Sequence, residues 1–330
     1  MKKTVLAALI AATTTSVFAG EIYSNETSNE TSSVALSGGV DAFMATIDKD
    51  GKSSDLEVNA KGYIKLDAEQ KISETLTGFA SFEIESGTDY TGTNSEASFD
   101  DVYVGVKTDL WGLAAGEVGD LANSADAIEK DDISNEGNYM GSAGGNSRES
   151  DGNGFVGKAN FGAITFVADA YTVKEQDIDH AYGLSADYQH EMFSVGASFI
   201  TGENNLGEKE EKYGISASAS VKGLYLAATY VEFEGNTQYG SFQTTESTKG
   251  NTLGLAAAYQ IQQARLYTTY AVASIDNSNS NNYGDTTNWV AGADYAVTTN
   301  ITTFVEYQIA KADWEAHDAS NVVAGVYFSF

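Results

Sequence analysis

The chain has 330 residues, a formal net charge of −29, and neither cysteine nor proline. Disulfides therefore cannot stabilise it. Its 47 acidic against 18 basic residues argue against nucleic acid as a partner, because phosphates need Lys and Arg.

Met1–Ala19 opens with Lys2 and Lys3, continues uncharged through Phe18, and offers Val17-Phe18-Ala19 as a small-residue cleavage site. We read residues 1–19 as a secretory signal. Removing these 19 residues with their two lysines leaves 311 residues and a charge of about −31. No later stretch is long and apolar enough for a spanning helix. An exported chain of this kind is either soluble outside the inner membrane or a β-barrel in an outer membrane. The tandem NETS-NETS of Asn25–Ser32 belongs to a flexible leader, residues 20–32.

Residues 33–330 alternate with period two, as half-buried strands do. In chain order the apolar faces run Val34, Leu36, Val40; then Ile64 and Leu66; Phe82 and Ile84; and Val102, Val104, Val106. Leu113 and Ala115, Ile164 and Phe166, Tyr182 and Leu184, then Val195 and Phe199 continue the series. Tyr213 and Ile215, Leu224 and Leu226, Leu253 and Leu255, and Leu266 and Tyr270 follow, before Trp289 and Tyr295 and finally Val305 and Tyr307. With residues 152–160 and the terminal strand, about sixteen strands result. Short connections (Thr108–Trp111, Phe161–Gly162, Lys222–Gly223, Gln262–Ala264, Thr298–Asn300) alternate with long acidic ones. The long ones are Asp48–Asp55, Gly87–Ala97, Gly119–Ser147, Val173–Asp179, Glu203–Glu211, Gly235–Ser247, Asp276–Thr286 and Asp313–Ser320. Such alternation predicts an all-β, transmembrane antiparallel barrel with short periplasmic turns and longer outer loops. The last strand has Val322, Ala324, Val326, Phe328 and Phe330 on one face. A soluble sandwich could end on such a strand; the export segment decides for the membrane.

The third long connection, Gly119–Ser147, carries Asp120, Asp126, Glu129, Asp131, Asp132 and Glu136 against Lys130. A loop of that length is functional or disordered. Folded inward, it would narrow a barrel and line it with carboxylates. His180, His190 and His317 are not spaced for a catalytic triad or a metal site. Asp48-Lys49-Asp50-Gly51 lacks the remaining ligands of a calcium loop and is read as a turn. No enzyme, cofactor or metal is expected.

The start GEIYS, the run Ala60-Lys61-Gly62-Tyr63-Ile64-Lys65, the pair Val102–Lys107/Gly112–Gly116 and the Phe330 terminus resemble the general porins of Gram-negative bacteria. The resemblance covers essentially the whole chain after the signal, with a barrel domain at 33–330. It implies a homotrimeric sixteen-stranded outer-membrane barrel, among lipids and lipopolysaccharide, whose third loop enters the lumen. It also implies that Phe330, Phe328 and Val326 are read by the barrel-insertion machinery. Family members set wall arginines against acidic loop residues. Here Lys61 and Arg148 match two of the basic positions, with Lys65 on the same wall, whereas Asp100 and Glu117 stand where arginines are expected. Asp132 and Glu136 match the acidic pair on the loop. Only Arg148 and Arg265 are arginines, so the full basic cluster is absent and the constriction shifts toward negative. The implied function is passive, cation-preferring diffusion of ions and small hydrophilic solutes. A surface adhesin or receptor barrel and a substrate-specific channel are the alternatives.

Overall fold

The computed structural model describes residues 20–27, 30–149, 152–174, 178–204, 207–276 and 282–330. The signal segment, residues 1–19, lies outside the described residues. Among the described residues eighteen strands follow one another: β1 (Gly20–Thr27), β2 (Glu30–Lys49), β3 (Lys52–Ser53), β4 (Glu57–Lys71), β5 (Thr77–Thr88), β6 (Asn94–Lys107), β7 (Trp111–Gly116), β8 (Gly154–Phe161) and β9 (Ile164–Tyr171). Then come β10 (Ala181–Gln189), β11 (Phe193–Glu203), β12 (Lys209–Val221), β13 (Leu224–Tyr239), β14 (Phe242–Ile261), β15 (Ala264–Ile275), β16 (Gly284–Ala296), β17 (Ile301–Ala312) and β18 (Ala319–Ser329).

From β4 onward each strand pairs antiparallel with the next, and β2 pairs with β4. β18 returns to β2 from Ser320↔Asp48 to Ser329↔Gly39. Sixteen strands, β2 and β4–β18, thus form a closed ring. β3 is a two-residue addition to β2. β1, in the segment expected as a flexible leader, runs as a strand beside Glu30–Leu36 of β2.

The apolar faces read from the sequence form the outer surface. Ile64, Leu113, Leu184, Ile215, Leu226, Leu255, Val305 and Val326 are between 41% and 61% exposed, on alternate residues of neighbouring strands. In water this belt would be a liability; in hydrocarbon it is required, and closure leaves no backbone edge unpaired. Among the described residues no helix is long and apolar enough to cross a membrane.

Two connections differ from expectation. Gly235–Ser247 is not an open loop. β13 and β14 run on through it to a turn at Gly240, with register shifts around Asn236. β14 has 20 residues where a tilted strand needs about 9–11 to cross a bilayer, so this hairpin projects beyond the membrane. Gly87–Ala97 shortens likewise, because β5 reaches Thr88 and β6 begins at Asn94. At the other end of the barrel, Lys222 (φ 51°) and Gly223 (φ 85°) join Val221 to Leu224 in a two-residue turn. Positive φ at both central positions matches the twist of a hairpin, and glycine supplies one of them without strain.

Phe330 closes the seam. Its N–H donates to Gly38 O at 2.9 Å, and Gly38 N donates back at 3.1 Å. Its ring covers Gly38 so closely that a β-carbon there would lie 2.8 Å from it. Phe330→Ala removes this cover and the apolar transfer of a phenyl group, on the order of 1–2 kcal/mol. The expected outcome is less protein in the outer membrane and a lower temperature for loss of heat-modifiable gel mobility. Wild-type levels and mobility would contradict it.

Candidate functional site

The connection between β7 and β8 is bound to the wall along most of its length. Its first part crosses three glycines on successive strands, on the face turned away from the apolar belt. A β-carbon on Gly183 (β10) would lie 1.8 Å from Ser124 Oγ, and one on Gly196 (β11) 1.8 Å from Ala127 O. Gly214 (β12) faces Ile128, at 2.5 Å from such a carbon. Further along, Gly254 (β14) makes room for Asp131. Only hydrogen at these positions lets the segment lie flat on the strands. A single turn of 3-10 helix, Ala125–Ile128, sits over this track.

Apolar and polar contacts hold the segment down. Ile128 and Met140 pack with Val231, Phe233, Ala271 and Ala273, while Ile133 packs with Tyr225, Ala227 and Tyr267. Wall hydroxyls donate to the segment's main chain: Ser216 to Ala127 O, Tyr225 to Lys130 O and Thr252 to Gly141 O, each at 2.6 Å. Lys130 meets Asp187 at 2.6 Å. The buried pair Lys212–Glu210, 2.7 Å apart, is shared with it: Lys212 donates to Gly145 O and Glu210 accepts from Ser147.

Glu306 on β17 is the strongest single anchor. Its carboxylate is 1% exposed. It accepts from Asn135 N at 2.5 Å, Glu136 N at 2.8 Å and Tyr267 OH at 2.6 Å. Charge-assisted bonds of this kind are about twice as strong as neutral ones. Arg265 reinforces the place by bridging Asp294 at 2.5 Å and Ile133 O at 3.1 Å.

Lys61 and Lys65 lie on one face of β4. Lys61 is the register partner of Asp41. Lys65 pairs with Asp101, not with the neighbouring Asp100. A bulge explains both aspartates. Asp101 has φ 53° and drops out of register between Ser81 and Glu83, so Phe99 and Val102 both point to the apolar surface. Asp100 and Asp101 consequently both turn to the other side. Asp100 lies beside Glu117, and its carboxylate oxygen is within 4.8 Å of those of Glu83 and Glu85. Of the loop acids, Glu136 reaches the wall, accepting from Tyr327 OH at 2.6 Å. Burial raises its carboxyl to about 7; Glu306 and Asp41 add to this, while the Tyr327 bond and Lys61 oppose it. Asp132 is exposed on the same segment. Arg148 is not brought to Lys61 and Lys65. It is buried, with its guanidinium donating to Glu203 O at 2.8 Å and Asn204 O at 2.9 Å.

A profile described as Gram-negative porin matches residues 6–313. The chain belongs to the Gram-negative porin family. Outer-membrane porin OmpD of Salmonella typhimurium is 26% identical over 339 residues, covering 84% of this chain and 90% of that one. Salmonella typhi OmpF, solved with daunomycin, superposes with a TM-score of 0.71 at 17% identity, over 94% of this porin and all of OmpF. An anion-selective porin from Comamonas acidovorans gives 0.70 at 15% identity, over 91% of this chain and all of its own. This porin is an outer-membrane β-barrel channel.

Asp101, Glu306 and the Lys212–Glu210 pair escaped the sequence reading. A signal for the first existed: strict alternation from Val102 would turn Asp100 into lipid, so the adjacent aspartates demand a bulge. Another lay in β13, where Leu224, Tyr225, Leu226 and Ala227 are apolar on both faces, as expected of a strand covered on its second face as well.

The glycine track yields a test. Gly196→Val should lift the segment near Ala127, making it cleavable by added protease and altering unitary conductance, while the barrel keeps its heat-modifiable mobility. Gly112→Ala, where a β-carbon meets nothing closer than 3.5 Å, should change neither. Equal protease resistance of both variants would contradict the close approach.

Proposed function

We propose that this porin passes ions and small hydrophilic solutes by passive diffusion, through a lumen constricted by residues 117–149, with a preference for cations. The anchoring of that segment by Glu306, Arg265 and the glycine track supports the constriction. Its face would then border the path together with the wall of β2 and β4–β6. Lys61 and Lys65 form the basic side in this reading, and Asp100, Glu117, Asp132 and Glu136 the acidic side. Arg148 contributes as an anchor instead of a wall charge.

The observation that carries the cation preference is the matching of charges. Lys65, Lys130, Lys212 and Arg265 each face a carboxylate partner, Asp101, Asp187, Glu210 and Asp294. Glu83, Glu85 and Asp100 crowd together in excess. A low-dielectric wall focuses the field of such a surplus into the path and raises the local cation concentration. The fold itself does not set the sign, since a porin with the same architecture is anion-selective. Acids on the outer loops are screened within about 8 Å at physiological salt and matter less. Assembly as a homotrimer follows the pattern of the family.

Reversal potentials in a salt gradient test the reading. Asp132→Asn with Glu136→Gln should lower the cation-to-anion permeability ratio by roughly twofold, more than Glu208→Gln with Glu211→Gln. Because Glu136 titrates near 7, its charge is absent well below that pH and complete above it. The preference should therefore rise between pH 6 and pH 8, and the Glu136→Gln variant should lose part of that rise, since Asp132 on the same segment is also raised to about 7. Anion preference in the wild type would refute the proposal.

A further inference from the structure

Beyond the membrane the β13–β14 hairpin loses its even register. Asn236 pairs with Thr248 and Gln238 with Gln243, so residues 244–247 of β14 stand opposite Thr237 alone. Extra residues on one strand bend a two-stranded ribbon. Hydroxyls hold the bend: Thr244 donates to Glu246 O at 2.8 Å and Thr248 to Asn236 O at 3.0 Å.

The bend carries the tip across neighbouring strands. Glu306, Gln308, Ala310 and Ala312 lie two apart on β17, on the face turned away from the apolar belt. Asn288 of β16 and Ala319 of β18 are the register partners of Ala310 on that same face. All three strands receive the tip. Phe242 packs with Ala310, Ala312 and Ala319. Ser241 Oγ accepts from Gln308 Nε2 at 3.1 Å and from Asn138 Nδ2 at 3.0 Å. A β-carbon on Gly240 would lie 3.5 Å from Asn288 Nδ2. Tyr239 is fully buried, its hydroxyl bonded to Thr248 and its ring edge-on to Trp314. A hairpin leaving β13 and β14 reaches β17 and β18 only by crossing β15 and β16. From β14 to β18 is four strand spacings, about 19 Å.

The sequence fits such a course. Residues 235–245 contain no charged side chain, whereas each of the other long connections carries acids. A charge would be costly against a wall where Tyr239 and Phe242 are buried. We infer that this hairpin is a second size-selecting element of the channel, a fixed cover over the part of the outer mouth bordered by β14–β18 that restricts solutes by bulk and not by charge. It requires neither the constriction by residues 117–149 nor a cation preference, only that the barrel conducts.

Replacing residues 235–248 by Asn-Gly tests this, because Glu234 and Lys249 are register partners that a two-residue turn can join. The shortened porin should show a unitary conductance about 1.5-fold higher. Liposomes carrying it should swell faster in trisaccharides, and its reversal potential in a salt gradient should not move. Ala312→Cys reads the cover directly, in a chain with no cysteine of its own. A bulky maleimide should leave that thiol unmodified beneath the intact hairpin and label it in the shortened porin. Lys311→Cys, on the opposite face, should react in both. If the shortened chain does not assemble, Phe242→Ser in the full-length porin reads the same cover: trisaccharide swelling should quicken and Ala312→Cys should become reactive. Unchanged conductance and swelling in the assembled shortened porin would overturn the inference. So would labelling of Ala312→Cys beneath the intact hairpin, or a Phe242→Ser porin that keeps both its swelling rate and its protected thiol. A reversal potential shifted by the shortening would contradict selection by bulk alone.

Discussion

Everything in this porin depends on one constraint: inside a bilayer no backbone N–H or C=O can be left without a partner. The chain meets it by bringing β18 back to β2 and sealing the last step with the reciprocal Phe330–Gly38 bonds. The absence of proline and the strict alternation of outward apolar residues follow from the same demand. So does the bulge at Asp101, since it keeps Asp100 out of the hydrocarbon while the ladder on either side stays paired.

Closure divides the side chains into two populations with different solvents. Those outside answer only to lipid. Those on the opposite face are free to be polar, and here they form a set of receptors for a single long segment. Glycines on β10, β11, β12 and β14 supply space, Glu306 supplies a charged acceptor, and Val231 and Phe233 supply an apolar bed. Both arginines of the chain bind this assembly, one at Ile133 and one at the β11 end. Lysines alone are left for the wall, and Lys65 and Lys212 there each face an acid. The excess of carboxylate is thus a consequence of how the basic residues are used as well as of their small number.

The barrel was legible because period two is imposed residue by residue, so the outward faces could be quoted directly, from Val40 on β2 to Phe330. Loop lengths were legible where turn chemistry marks them, as at Lys222–Gly223. They failed at Gly235–Ser247 because polar residues in a hairpin above the membrane look like an open loop; nothing there needs an apolar face. The site was harder. Lys61 and Glu136 do come to one region, but Arg148 was placed by its position after the loop, and its burial at Glu203 O depends on a contact between segments distant in sequence. Glu306 reads as one more inward residue of a strand until the Asn135 and Glu136 amides are seen on it. Long-range pairings of this sort leave no local pattern.

The central claim, that the β7–β8 segment borders the conducting path, is tested most directly by cysteine chemistry in a chain that has no cysteine of its own. Asp132→Cys gives a single exposed thiol on that segment. After reconstitution, a positively charged methanethiosulfonate reagent added to the bath should react and reduce the unitary current in discrete, irreversible steps. Complete labelling of the thiol with an unchanged unitary current would place Asp132 away from the path and contradict the account.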